Sequence, residues 1–327
     1  MINIDKIDGA ITVLSANDKF SGCIFLNDEN ANTSYTFSCG YACKEYKVPN
    51  KTDTKFNIAS VGKPITGVAI TMLTRDGFID LSKVVSEYID LKNDVFNHIT
   101  IEQLLTHTSG LGDYFQAAYN SPYIKSYEDF KDFLDIVENA SLDFAPGDHW
   151  SYSNLGYLVL GLLIEKVSGM SYYTYIQQNI FLPSNMTDSG FWLYNEPVSN
   201  RAFGYSYDDE RRIWRNRFIT PVLRGTSAGG WFSTVGDLSK FMKSMLSHKL
   251  LSSYYTNLVI TPKPELNAPN YGYGFFVSDA KLSHGGNGTG IGAHLSYYKS
   301  NGYTLAVLSN YSSGVDDVVS IFDAVLL

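Results

Sequence analysis

Residues 58–77 read IASVGKPITGVAITMLTRDG, and the rest of the chain is best understood outward from this stretch. Ile65, Val68, Ala69, Met72 and Leu73 recur at helical spacing, so the segment is a helix with an apolar face. Gly77 closes it as a C-terminal stop. Pro64 belongs in a first turn, where a proline removes no helical hydrogen bond. Ser60 therefore opens the segment, where free N–H groups and the helix dipole favour developing negative charge. Lys63, three residues on, shares its helical face. A serine hydroxyl is a weak nucleophile until a neighbouring base takes its proton, and a lysine can do so once burial lowers its pKa. Ser60 and Lys63 are thus a candidate nucleophile and base. They read equally as an N-cap and a surface charge, and the pair alone does not choose.

The S-x-x-K spelling recurs at Ser278/Lys281 and Ser296/Lys299. Both lie in or beside strand-like segments, where positions i and i+3 point to opposite faces. Those pairs are expected to point apart.

Around the helix, the chain opens with an apolar stripe at Ile4, Ile7, Ala10, Ile11 and Leu14, as on a helix. Phe20–Asn27 and Ser34–Gly40 read as strands joined by the polar turn Asp28 to Asn32. A middle stretch follows that is mostly helical, with helices over Ile101–Thr106, Tyr127–Asn139 and Tyr157–Val167. Strands return at Tyr273–Ser278, Ala293–Lys299 and Tyr303–Ser309, the last two joined by a Ser300-Asn301-Gly302 hairpin. Asp316–Leu327 ends the chain as an amphipathic helix. The expected fold is α/β (α+β): an antiparallel sheet flanked by N- and C-terminal helices, with a large, mostly helical insertion. Residues 1–70 with 270–327 would form the sheet domain and 71–269 the helical one.

A hydrophobic content of 44% against 18% charged residues over 327 positions supports a large core and excludes a disordered chain. With a net charge of −8, the basic run Arg211, Arg212, Arg215 and Arg217 reads as a solvated face, and a nucleic-acid partner is not expected. The first twenty residues lack the basic start and unbroken apolar stretch of an export signal. The apolar run Tyr157–Ile164 is too short to span a bilayer. A soluble, cytoplasmic protein with no membrane partner is expected, or an extracellular one if a leader was removed. Cys23, Cys39 and Cys43 make no disulfide framework, and the six histidines show no metal-ligand spacing, so neither metal nor cofactor is expected. Gly288–Ala293 spells G-x-G-x-x-A, but a hairpin follows it where a dinucleotide site requires a helix.

Two further motifs carry chemistry. Tyr152-Ser153-Asn154 offers a phenol and an amide two residues apart, able to face one cleft from an extended segment. The Y-x-N spelling recurs at Tyr255-Thr256-Asn257. His284-Gly285-Gly286 is the only H-x-G, on or beside a strand, with glycines that would let a substrate approach the backbone.

In order and spacing, S-x-x-K, Y-x-N and H-x-G resemble the serine β-lactamase and penicillin-binding protein superfamily. The nearest likeness is to its class C β-lactamase, D,D-peptidase and esterase branch. Leu104-Leu105-Thr106-His107-Thr108-Ser109-Gly110-Leu111, Pro146-Gly147, and Ala228-Gly229-Gly230 followed by Ser233, Thr234 and Asp237 resemble that branch as well. The likeness runs from about Phe20 to the C-terminus.

The resemblance implies a β-lactamase/D,D-peptidase-like fold with the motifs meeting in a cleft between the two domains. Ser60 would form an acyl-enzyme, while Lys63 and Tyr152 share the proton transfers. Asn154 would hold Lys63 or a substrate amide. The N–H groups of Ser60 and Asn287 would form the oxyanion hole. His284 and Gly285 stand where many relatives have the lysine and threonine that bind a carboxylate. An esterase, or a peptidase acting on D-amino-acid or D-Ala substrates, is therefore expected ahead of a class C-type β-lactamase. An acyltransferase and a non-catalytic acyl-binding sensor are the other readings, and the partner is a small ester, amide or D-peptide. His107 reads as satisfying local backbone groups at a helix end, and Asp237 as an N-cap. Trp231, Phe232, Tyr114 and Tyr205 belong to the core or to an acyl pocket.

Overall fold

The computed structural model describes residues 4–31, 33–119, 126–217 and 220–327, so Asn32 of the expected turn lies outside the described residues. Six antiparallel strands form the main sheet, in the order Thr33–Cys39, Gly22–Asp28, Tyr303–Ser309, Ile291–Tyr298, Lys281–Gly288, Phe276–Val277. The first strand of the chain lies beside the last, with Gly22 opposite Ser309 and Asp28 opposite Tyr303. Successive side chains alternate between the two faces. Ile24, Leu26, Leu305 and Val307 pack with Ile7 and Ile11 of the helix Ile4–Ala16 and Val318 and Phe322 of Val315–Leu326. Cys23, Leu295, Ala306 and Leu308 face the larger core on the other side.

The expected hairpin turns at Gly302, whose φ of 74° suits a residue without a Cβ. Of the strand expected over Tyr273–Ser278, only Phe276–Val277 pairs. Gly274, at φ 91°, has its backbone pressed against the Lys63 carbonyl: an added Cβ would lie 2.6 Å from that oxygen. Residues 272–274 therefore serve the nucleophile helix and leave the ladder. In exchange, Lys281–Gly288 forms a full strand through the H-x-G motif.

The helix proper runs from Lys63 to Arg75, preceded by a 3₁₀ turn over Ala59–Gly62. Ser60 is thus one turn ahead of the helix, and Gly62 holds the N-cap position that Ser60 could have filled. Every residue from Lys63 to Leu73 is buried, where the periodicity indicates one apolar face. Its hydroxyls find acceptors inside the protein: Thr66 donates to the Ser227 carbonyl at 2.7 Å and Thr71 to Gly67 at 2.8 Å. The packed partner, Asn154–Ser168, is buried through Ile164 apart from Leu162, capped by Ser153 and ended by Gly169 at φ 69°. Over Tyr127–Asn139 a 3₁₀ turn at Phe130–Phe133 leads into the helix Leu134–Glu138.

The helix Val235–Leu246, within the expected helical insertion, packs on the strands Gly22–Asp28 and Tyr303–Ser309. Its N-cap is Thr234, whose Oγ1 accepts from Asp237 N at 3.2 Å, and not Asp237. Asp237 sits buried one turn in, where its carboxylate accepts from Asp188 N, the Ser189 hydroxyl and Lys240. Among the described residues no helix is long and apolar enough to cross a membrane.

Candidate active site

Ser60 lies on a turn held from three sides. Ala59 has φ 44°, a region a side-chain-bearing residue avoids and one that stores roughly 1–3 kcal/mol of strain. Asn57 imposes it: Oδ1 accepts from Ala59 N at 2.8 Å while Nδ2 donates to the Gly230 carbonyl at 2.7 Å. Gly230 N then donates to the Ala59 carbonyl at 2.9 Å. Gly229, at φ 119°, approaches that carbonyl so closely that a Cβ would fall 1.8 Å from it. The Ala228-Gly229-Gly230 signature is therefore a cradle for the nucleophile turn. Gly286 serves the same end, since its Cβ would fall 2.5 Å from Ser60 N. Its missing side chain makes room for the Ser60 turn. Among the described residues the Ser60 N–H has no acceptor.

Lys63 is fully buried. Its Nζ lies 2.7 Å from Asn154 Oδ1, 2.9 Å from the Ala228 carbonyl and 3.2 Å from Ser60 Oγ. Asn154 is oriented by Asp113, whose carboxylate accepts from its Nδ2 at 2.5 Å, so the oxygen must face Lys63. Both ends of Asn154 are thereby engaged, and of its two expected roles it fills the one toward Lys63. Burial pushes the Lys63 pKa well down, and the Asp113 charge opposes that only in part. A neutral amine has two N–H donors. In that state Asn154 Oδ1 and the Ala228 carbonyl would accept both, and the lone pair would face Ser60 Oγ.

Tyr152 is placed by the Leu104–Leu111 signature. Gly147 N donates to the Thr108 carbonyl at 2.8 Å and Ser151 N to the His107 carbonyl at 2.9 Å. Ser153 N donates to His107 Nδ1 at 3.1 Å, and the Ser153 hydroxyl to the Gly112 carbonyl at 2.9 Å. The segment is clamped on both sides of Tyr152. Its ring lies over Lys63 Nζ at 4.7 Å. Burial raises the phenol's pKa.

His107 satisfies the local backbone and also reaches across the site. Because its Nδ1 accepts from Ser153, its Nε2 carries the proton and donates to the Tyr271 hydroxyl at 3.1 Å. Tyr271 in turn lies 3.2 Å from His284 Nε2, and His284 Nδ1 lies 2.6 Å from the Gly285 carbonyl. A carbonyl only accepts, so Nδ1 is the protonated nitrogen, and in the neutral ring that burial favours Nε2 accepts from Tyr271. His284 is neutral and both its nitrogens are used. Burial pushes its pKa down to about 3.

A cavity of about 730 Å³ opens over this arrangement, lined by Ser60, Tyr152, Asn154, His284, Gly285, Gly286 and Asn287. Lys63 is buried behind its lining residues Ser60 and Asn154, both of which it contacts. Tyr114 also lines it, whereas Trp231 and Tyr205 are core and Phe232 borders a smaller pocket. The strand Lys281–Gly288 pairs with Phe276–Val277 only at Leu282 and Ser283. Beyond them, among the described residues, its edge has no strand partner, and His284 to Gly288 line the cavity.

The other motif copies stay apart from it: Lys281 pairs with Asp323 at 2.6 Å, Ser296 is buried in the sheet, and Tyr255–Asn257 lie in the helix Ser253–Ile260. Gly288–Ala293 forms a strand-to-strand turn with Gly290 at φ 67°. Among the described residues no three His, Cys, Asp or Glu side chains form a metal-binding group. Sequence reasoning missed Asp113, Tyr271 and Asn57. Each acts through a partner far along the chain, and the left-handed Ala59 has no composition cue at all.

The family model described as Beta-lactamase matches residues 7–327. Penicillin-binding protein 4* of Bacillus subtilis (strain 168) is 31% identical over 321 residues, a match covering 91% of this chain and 69% of that protein. The crystal structure of penicillin binding protein from Bacillus halodurans superposes with a TM-score of 0.88 at 30% identity, covering 96% of this chain and 98% of that one. D-amino acid amidase from Ochrobactrum anthropi SV3, complexed with L-phenylalanine amide, gives 0.80 at 22% identity with 98% and 97% covered, a likeness of fold. The chain spans 69%, 65% and 60% of the length of three curated relatives that it matches.

Proposed function

The chain belongs to the beta-lactamase family and is a serine hydrolase of that superfamily, and on that premise we propose that Ser60 carries the acyl group of an ester or amide substrate through turnover. The observation that carries this reading is the Lys63 amine, tied through Asn154 and Ala228 so that its free valence faces Ser60. Lys63 takes the Ser60 proton as the oxygen adds to the substrate carbonyl. The oxyanion forms toward the Ser60 and Asn287 N–H groups, where each well-placed donor is worth about 10²–10³ in rate. Tyr152, protonated because burial raises its pKa, relays a proton to the leaving group and is reprotonated from Lys63. Water then releases the acid by the reverse relay.

Lys63 as resting base makes a pH prediction. The Asp113 carboxylate raises the Lys63 pKa, so Asp113→Asn lowers it further. The neutral amine then persists to lower pH, and the acid limb of the kcat/KM profile moves down by about a few tenths to one unit. A limb that stays in place would assign that titration to another group.

The neutral His284 favours a leaving group without a carboxylate, hence an ester or a D-amino acid amide over a β-lactam or a terminal D-alanine. Initial rates on an activated short-chain ester, a D-amino acid amide and a peptide ending in D-alanyl-D-alanine test this. At least a roughly tenfold preference for an uncharged leaving group is expected, as an unpaired buried polar group costs about 1–3 kcal/mol. The reverse order would overturn it.

A further inference from the structure

The basic run that reads as a solvated face divides in two. Arg211 and Arg215 pair with Asp208 at 3.7 and 2.8 Å. Arg217, just past the strand Ile213–Asn216, lines the cavity with Ser60. Its guanidinium lies over the Tyr194 ring at 5.3 Å, with Nη1 3.5 Å from the Tyr194 hydroxyl. That hydroxyl accepts from Asn57 Nδ2 at 2.9 Å, the amide that also shapes the nucleophile turn. Among the described residues Arg217 makes no ion pair. The cavity's other arginine, Arg224, is neutralised by Asp129 at 3.0 Å. Among the described residues Asp316 is the cavity's one acidic lining residue; it is exposed and makes no ion pair with them either.

The strand Lys281–Gly288 gives the cavity a direction. His284, Gly286 and Gly288 share one face by strand alternation. Gly286 abuts Ser60 N, and the His284 ring lies 6.2 Å from that of Tyr152. A Cβ on Gly288 would stand 3.9 Å from Arg217 Nη1. The leaving group is protonated by Tyr152 and so departs at the His284 end. The acyl group extends the other way, and two residues along a strand bring it about 7 Å to Gly288 and Arg217. Among the described residues the only uncompensated cation of the cavity thus stands on the acyl side, while the leaving-group side is neutral.

We propose that Arg217 anchors a carboxylate on the acyl group of the substrate, so that this hydrolase takes acidic acyl donors, such as those of a dicarboxylic acid or an acidic amino acid, joined to an uncharged leaving group. The proposal rests on Ser60 being the acylated residue. A planar guanidinium already stacked on an aromatic ring presents its N–H fork to a carboxylate with little further ordering.

Boronic acids test both layers, because Ser60 Oγ adds to boron with its proton passing to Lys63 and no group leaving. The probes are 3-carboxypropylboronic acid and its primary amide, with dissociation constants measured by calorimetry. The acid is expected to bind wild type at least tenfold more tightly than the amide. That ratio falls to near one in Arg217→Gln and is kept in part by Arg217→Lys. Equal affinities in wild type, or a ratio that survives Arg217→Gln, overturn the proposal. Failure of both boronates to bind, or undiminished binding of both to Ser60→Ala, overturns the Ser60 reading and the anchor with it.

Discussion

Ser60→Ala abolishes turnover, with an expected loss of about 10⁵–10⁶ in kcat, the scale on which removal of a covalent nucleophile acts. The substitution removes one oxygen that contacts Lys63 at 3.2 Å. Ala59 keeps its hold through Asn57 and Gly230, and Lys63 keeps Asn154 and Ala228. The fold therefore stays intact, and the loss is chemical. Intact mass after incubation with a fluorophosphonate probe reads it directly. Wild type gains one phosphonyl group with fluoride displaced, and Ser60→Ala gains none. Labelling of the variant at the wild-type rate would remove Ser60 from the mechanism. Benzylpenicillin in a parallel incubation separates the substrate classes, because its carboxylate meets a neutral His284 on the leaving-group side. No lasting adduct is expected from it.

Lys63→Met lowers kcat/KM by about 10³–10⁴, near the upper end of what one acid–base group supplies. Its second signature is in stability. In the folded protein burial holds the Lys63 pKa well below that of the unfolded chain. Between those two values the unfolded state carries one more proton, so wild-type stability rises with pH there, by up to about 1.4 kcal/mol per unit. Methionine has no such proton. The stability of wild type relative to Lys63→Met should therefore increase as pH is raised through the alkaline range, up to the unfolded pKa of about 10.4. Denaturant melts at three or four pH values measure the slope. A difference that is flat with pH would mean that Lys63 stays charged in the folded state, and another group would then have to deprotonate Ser60.

The places where the sequence was readable share a physical cause. Tyr303–Ser309 and its hairpin announce themselves through β-branched and apolar neighbours and an Asn-Gly turn, all local signals. The terminal helices carry stripes that map onto buried residues, as Ile7 and Ile11 show. The strand Lys281–Gly288 has no such stripe. Its glycines weaken the strand signal, and only the approach of Ser60 to Gly286 explains them. The nucleophile helix has a visible period, yet its full burial depends on Asn154–Ser168 packing over the remaining face. Thr66 and Thr71 look like a solvent face until their acceptors are in place.

Sequence alone determined which groups are available: a serine three residues ahead of a lysine, a tyrosine two ahead of an asparagine, and a histidine before two glycines. It also determined the sheet and terminal-helix pattern that brings both ends of the chain together. Tertiary structure decided the state of those groups. Residues up to 177 positions apart, His107 and His284, meet through Tyr271, and burial there keeps His284 neutral where it could have been a cation. Asp113 and Ala228 come from either side in sequence to orient the Lys63 amine. Arg217 leaves a run of exposed arginines for the cavity wall. Charge state and hydrogen-bond direction depend on desolvation and on partners distant in the chain, and neither is written in local spacing.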